Sequence, residues 1–388
     1  MGPGEYIRKH ITLFNIVAVL IILGGVSMLA LRFLKGLGAV TEGSYERPWG
    51  LFIGVNMLCG VVLSASGYVM GAAVYLLRLR QYLPVYRVAV LIGSLGYFFA
   101  VMALICDIGR PWRIYFPMFV SLEGTASVMF ILAWSLSLSL TFQFFELSPA
   151  IFEWLNLKKI RDYIEHKLMT GAVIFTVTSA TIHQSALGGL FLITPGKLHP
   201  LWYSPFIPLF FFISSIASGL AMMIVVTTLC ERYLKDKCSP QFREALPRLH
   251  LGLGKACAVV LFAFFGLRLI GIAHGDRWHL LNTPYGWWFS VEMLIFLIAP
   301  YILLAGVRKK DVGLVRFGAF FTLVGVVINR INFPIVAFNW QLHDLRFPPV
   351  PETLITLGIL TTWVVLFRWV ANRMPVLWED PKYKWEIP

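Results

Sequence analysis

The sequence predicts an all-α polytopic integral membrane protein, on three observations. Hydrophobic residues make up 58% of the 388 positions and charged residues only 14%, whereas a soluble domain covers its surface with about 25% charge. Apolar runs of about 20 residues, each long enough to cross about 30 Å of hydrocarbon, recur along the whole chain. The short alternating segments that mark a membrane β-barrel are missing.

Ten spans follow in order. The first, 11–34, comes after "MGPGEYIRKH" and has no small-residue cleavage site behind it, so it reads as a retained helix. The second, 51–77, opens at "RPWG". The third, 88–106, ends at "CDIGRPW", where Gly109 and Pro111 stop the helix. The fourth, 119–143, begins near Glu123 and leads into the longest polar connection, "ELSPAIFEWLNLKKIRDYIEHK". The fifth, 168–193, holds the unusual stretch "TSATIHQSALGG". The sixth, 203–230, follows "LHPLW"; the seventh, 250–273, contains Arg268; the eighth, 286–307, contains Glu292. The ninth, 312–329, closes at "NRINF", and the tenth, 353–374, leaves a tail at 375–388. No soluble domain interrupts this series. Residues 1–388 read as one integral membrane domain, to which electrons, ions or a small molecule must be brought.

The formal charge of +13 would suggest nucleic acid in a soluble protein. Here the basic residues gather at the ends of apolar runs, where they set topology and meet lipid headgroups. With ten spans, the termini and the even-numbered connections share one side. That side carries 22 of the 33 basic residues, against nine in the opposite loops. The positive-inside rule then predicts both termini, and the tail at 375–388, in the cytoplasm of a bacterial inner membrane.

Ionisable groups inside a span are costly and mark function by default. Trp49, Asp107, Arg110, Glu123, His183, Arg268 and Arg330 all fall in the outer half of this topology. Each has an ordinary alternative. Trp49, Trp112 and Trp202 suit an interfacial belt. Asp107 and Arg110, spaced i, i+3, suit a helix-end ion pair. Arg268 suits a snorkelling side chain, and His183 a packing residue. Yet Thr176, Ser179 and His183 share one helical face, with Gln184 beside them. A quinone needs this kind of site: donors at two carbonyls, a proton relay, and an apolar pocket. Glu292 lies nearer the middle and, with Asp107 and Glu123, is a candidate for proton transfer.

Metal chemistry finds little support. The five cysteines form no CxxC pair, so the sequence offers no iron–sulfur or zinc motif. Of the eight histidines only His183 falls clearly inside a predicted span, which argues against a haem held by two histidines. Two other classes stand beside a quinone protein: a secondary ion or solute transporter, and a membrane anchor without chemistry of its own.

The motifs "PWG", "DIGRPW", "IHQSALGGL", "LHPLW" and "NRINFPIVAFN", in this order, resemble those of the polysulfide reductase membrane-subunit (NrfD-like) family. The ten-span form is similar to its hydrogenase-2, HybB-like branch. The resemblance covers nearly the whole chain. It implies a core of two four-helix bundles, spans 2–5 and 6–9, with exchangeable menaquinone and no haem or iron–sulfur cluster in this chain. It implies an extracytoplasmic ferredoxin-like iron–sulfur partner, with hydrogenase subunits or a multihaem cytochrome c beyond it. It also implies His183, Arg110, Asp107 and Arg330 around the quinone head, then Trp49, Gln184 and Arg268, with Glu123 as a proton-transfer residue. Relatives of the hydrogenase type tend to carry an acid in span 2, where this chain has Asn56. The "MMIVVTT" stretch of span 6 holds none either, so the resemblance does not carry a complete proton path across the membrane.

Overall fold

The first turn of a helix has backbone N–H groups without helical partners, and the chain supplies acceptors for them. Thr12, Ser127, Ser239, Thr283 and Asp311 each take the N–H three residues on. In the computed structural model, which describes residues 12–44, 48–119, 125, 127–194, 196–338, 340–342 and 348–378, these caps open five of ten long helices. The helices are α1 (Leu13–Lys35), α2 (Phe52–Leu76), α3 (Leu83–Asp107), α4 (Val128–Trp154) and α5 (Met169–Leu192). They continue as α6 (Ile207–Tyr233), α7 (Pro240–His274), α8 (Pro284–Lys309), α9 (Val312–Ile331) and α10 (Val350–Arg373). Nine of these stretches are long and apolar enough to cross a membrane. The tenth, α5, is 24 residues long, but the polar run through His183 and Gln184 dilutes its apolar character.

Several boundaries differ from expectation. The fourth span is Val128–Trp154, not 119–143, so Glu146 and Glu153 belong to a helix instead of a polar connection. Ser127 fixes its start, and Pro149 is carried inside the helix. The seventh begins at Pro240, ten residues earlier than expected, which brings His250 inside it, fully buried. The ninth continues past "NRINF" as a π-helical stretch, Asn332–Ala337, so Asn329 and Arg330 lie within the core rather than at a loop. The tail does not leave the protein at once: Val376 and Leu377 are buried.

The expected core of two four-helix bundles is present. Helices α2–α5 pack together, as do α6–α9, and α6 joins the two by lying along α5 and across α2. Helices α1 and α10 pair with each other on the flank and reach the core through α3 and α2. Of the nine apolar stretches α2 is the most enclosed and α1 the most exposed. Helix α2 is broken at Ser64–Ala65 and has π-helical stretches at both ends. Gly219 of α6 crosses directly over the break; a Cβ there would lie 2.9 Å from the Ala65 carbonyl carbon.

Contacts between helix ends define two faces. Trp49 packs against Phe338 at 4.7 Å with the rings tilted, His199 N–H donates to Ala337 O at 2.9 Å, and Arg32 donates to Cys106 O at 2.6 Å. These bring together the end of α1, the start of α2, the end of α3, the α5–α6 connection and the end of α9; this is the aromatic face. At the other end Arg87 donates to Pro375 O, Ser239 N–H to Leu377 O, and Arg368 to Asn15. This basic face collects the Lys- and Arg-rich connections, and both ends of the described chain lie there. An even number of crossings follows.

Candidate functional site

Two buried polar clusters lie toward the aromatic face, one in each bundle. In α6–α9 the centre is Glu292 of α8. Its Oε1 accepts from Asn329 at 2.7 Å and Arg268 at 3.3 Å. Its Oε2 accepts from Asn332 at 2.6 Å and the Trp202 indole at 2.9 Å. Arg330 donates to Asn329 Oδ1, to Phe211 O and to Ser214, and its guanidinium stacks on the Phe211 ring at 3.8 Å. Every carboxylate oxygen is claimed twice, as a charge this deep requires. Two guanidiniums against one carboxylate leave a positive charge in excess.

The α2–α5 cluster is built differently. His183 Nδ1 meets Ser135 Oγ at 3.3 Å, while its Nε2 has no hydrogen-bond partner among the described residues. The Tyr97 ring lies 5.7 Å from the His183 ring, and the Tyr97 hydroxyl is also unpartnered. Gln184 donates to Val61 O at 3.2 Å and leaves its Oε1 unpartnered. All three side chains are fully buried. Buried polar atoms are satisfied as a rule, so this is where the protein holds donors and acceptors in reserve.

Between the clusters lies an aromatic layer. Phe191 packs on Trp49 at 5.1 Å, Phe333 at 4.9 Å and Phe211 at 5.8 Å. Tyr97, Phe191, Phe211, Phe289 and Phe333 share one apolar cluster that spans both bundles.

The expected site residues therefore separate. His183 and Gln184 stay together, with Tyr97 as a member the sequence reading missed; a tyrosine in "SLGYFF" gives no signal by spacing. Arg268, Arg330 and Glu292 belong to the second cluster. Arg268 does not snorkel but is fully enclosed. Trp49 is half-buried in the layer between the two. Arg110 is exposed beyond the end of α3 and pairs with neither His183 nor Asp107. Asp107 faces Arg32 and Glu352 instead. Glu352 was also missed: from α10 it accepts the Leu51 and Phe52 N–H groups at 2.6 and 3.2 Å and so caps α2 just after Trp49. Glu123, and Arg47 of "RPWG", lie outside the described residues. His250 corrects the histidine count, being a second one buried inside a long helix, but both its ring nitrogens are taken, by Thr227 at 2.8 Å and Arg316 at 3.2 Å. The five cysteines are free and buried, and no group of three metal-ligating side chains occurs among the described residues.

The connection between α5 and α6 holds the aromatic face together. His199 sits among Trp202, Tyr285 and Trp340, each ring within 5.5 Å, and its Nδ1 accepts from Leu201 N–H. Burial, reinforced by the positive Arg277 nearby, pushes the imidazole down to about 4. Arg277 itself donates to the carbonyls of Pro200 and Tyr203.

Comparison with known proteins now decides the family. The model of NrfD, polysulphide reductase, matches residues 39–337. The chain belongs to the NrfD family. The match runs from just ahead of Trp49 to the end of the π-helical stretch after α9, so it takes in both bundles. A protein of Nitratidesulfovibrio vulgaris is 43% identical over 373 residues, covering 95% of this chain and 96% of that one. The probable Ni/Fe-hydrogenase 2 b-type cytochrome subunit of Escherichia coli is 26% identical, covering 96% and 94%. The integral membrane subunit of menaquinone reductase from N. vulgaris is 25% identical, covering 79% and 78%. This NrfD-family chain is thus a multi-pass membrane protein related to membrane subunits of several oxidoreductases.

Proposed function

We propose that this chain is the quinone-reactive membrane subunit of a respiratory oxidoreductase, and that the quinone head is met by His183, Tyr97 and Gln184. One observation carries the reading: three fully buried side chains on α3 and α5, two helices of one bundle, hold polar atoms that lack a hydrogen-bond partner of good geometry among the described residues. His183 Nε2 and the Tyr97 hydroxyl can donate to a carbonyl, and Gln184 Oε1 can accept from a hydroxyl, so the set suits both redox states of a quinone. Ser135 at His183 Nδ1 orients the ring. The aromatic layer supplies the apolar wall such a head requires. The excess positive charge of the Arg268–Arg330–Glu292 cluster, in the neighbouring bundle, favours negative charge developing at a carbonyl.

Relatives whose names include a menaquinone reductase and a hydrogenase support menaquinone as the quinone and a multi-subunit assembly. The basic face reads as cytoplasmic by its lysines and arginines. The aromatic face, where Trp49 and the clusters lie, then takes an extracytoplasmic electron-carrying partner of the iron–sulfur or cytochrome class.

The test is a quinol-analogue titration of the purified protein, followed by tryptophan fluorescence, with His183→Ala and Gln184→Ala beside the parent. Saturable binding weakened in both variants, with folding intact, is expected. Saturable binding unchanged in both would move the site, and no saturable binding by the assembled complex would remove the reading.

A further inference from the structure

Helix α7 is 35 residues long, more than a bilayer core requires, and it begins at the basic face. Two connections of that face meet it at one level. Gly254 packs on Val307 and Val315, which lie at the end of α8 and the start of α9. Gly252 packs on Tyr82, which closes the single turn Arg80–Tyr82 between α2 and α3. A Cβ at position 252 would collide with the Tyr82 hydroxyl, so only glycine lets the two segments close. The edge of the hydrocarbon on the basic side therefore falls near Gly252–Lys255.

The outward stripe of α7 changes character at this edge. Arg248, Gly252, Lys255 and Val259 follow at i, i+4, i+7 and i+11, on one side of the helix. Arg248 and Lys255 are exposed, Gly252 is half-buried between them, and Val259 is 60% exposed. Toward the membrane, the stripe thus passes from two cations to bare hydrocarbon. Neither cation has an ion pair among the described residues, and Glu244, one turn farther out, pairs with neither. A single lysine at this depth could simply snorkel to water. A second wall makes the place a groove. The Tyr82 hydroxyl lies beside the Gln81 amide and within electrostatic reach of Arg248. Arg80, two residues before Tyr82, is exposed, as are Leu76, Leu77 and Leu79 of the same connection.

We propose that the joint between α7 and the α2–α3 connection binds an anionic phospholipid. Its phosphate is held by Arg248 and Lys255 beside the Tyr82 hydroxyl, and its acyl chains lie on Val259 and the exposed leucines. Basic pockets between membrane helices on the cytoplasmic side recognise anionic headgroups in this way. A free anion would match only the cationic half of the stripe, whereas a phospholipid matches both halves. The position gives the lipid a task. Tyr82 leads into α3 of one bundle and Gly252 belongs to α7 of the other, so a lipid seated here ties the two bundles together at the basic face. The site lies at the opposite face from the His183 cluster and stands without the quinone reading.

The experiment uses the purified protein with any subunits that accompany it. It is delipidated in detergent and given phosphatidylglycerol or phosphatidylcholine at fixed ratios. Retained lipid is read by native mass spectrometry, and the melting temperature is recorded alongside. Three proteins are compared: the parent, Arg248→Gln with Lys255→Gln, and Lys158→Gln with Lys159→Gln, a pair exposed elsewhere on the basic face. The parent should retain phosphatidylglycerol in preference to phosphatidylcholine and melt higher with it. Affinity should fall about twenty- to thirtyfold in the α7 pair, about fivefold for each cation lost, and stay within about twofold in the control pair. Parental retention in the α7 pair, or equal loss in both pairs, would overturn the site. Equal retention of the two lipids by the parent would overturn recognition by charge. Inorganic phosphate that raises the melting temperature as much as phosphatidylglycerol does would make the joint an anion site and overturn the lipid. Should the double α7 variant fail to assemble, Lys255→Gln alone, expected to bind about fivefold more weakly, is read in the same way.

Discussion

The indole of Trp202 donates to Glu292 at 2.9 Å, joining the α5–α6 connection to the core of α8. With Arg268, Asn329 and Asn332 on the same carboxylate, Glu292 is a hub whose every lone-pair direction is occupied. A proton carrier must exchange partners, and this carboxylate has none to spare. Its role is to hold two buried guanidiniums and three helices in register. Glu292→Ala should therefore cost about 3–5 kcal/mol, the usual cost of breaking a buried ion pair by removing one partner. Denaturant unfolding in detergent measures it. A variant of near-parental stability with slowed proton transfer would show the opposite role.

Tyr97 tests the other cluster in the reverse sense. Its hydroxyl is buried and faces Ser139 and Gln184 without a hydrogen bond of good geometry, so Tyr97→Phe removes a desolvated polar group and at most a weak hydrogen bond. Stability should stay within about 0.5 kcal/mol of the parent or rise slightly. Quinol-analogue affinity should fall about five- to tenfold, the worth of one neutral hydrogen bond, about 1 kcal/mol. Loss of stability with unchanged affinity would make Tyr97 a structural residue.

The fold was largely legible because a bilayer leaves few choices: ten apolar runs become ten helices, and the positions of the arginines and lysines predict the faces. The site was legible only where polarity interrupts an apolar run. His183 and Gln184 stand out in this way, and Arg268, Arg330 and Glu292 do so as buried charges. Sequence alone does not show which of these touch. Arg110 and Asp107 are three residues apart, yet α3 ends between them, so they do not share a helical face. Glu146 was hidden by a boundary. With the fourth span placed at 119–143, its acid fell among the charges of a supposed loop, and only Ser127 as the N-cap moves it into the core. Tyr97 and Glu352 could be found only from the packing of distant segments.

Glu352 shows how the flanking pair α1–α10 serves the core. Its carboxylate caps α2 by taking the N–H groups of Leu51 and Phe52, two and three residues beyond Trp49. Glu352→Ala should cost about 1–2 kcal/mol, the upper part of the range for a lost cap, and should shift the emission of Trp49. The shift is obtained by comparing Glu352→Ala with and without Trp49→Phe. Glu352→Gln keeps an acceptor oxygen and should lose less than half as much stability. Equal losses in the two variants would point to the negative charge at the start of α2 rather than to an acceptor oxygen.

His199 gives the aromatic face a pH dependence of defined sign. In the unfolded chain its imidazole titrates near its ordinary value, about 6.5; in the folded protein burial and Arg277 hold it down to about 4. Between those values the unfolded state binds the extra proton and the folded state does not. Stability from this group is therefore complete above about pH 6.5, declines as the pH falls toward 4, and levels off below. Protonation also removes the acceptor that Nδ1 offers to Leu201 N–H and places a cation beside Arg277. The melting temperature of the parent should fall across that window. In His199→Gln it should start lower at pH 8 and fall less between 6.5 and 4. An identical pH slope in both proteins would assign the acid sensitivity to other groups.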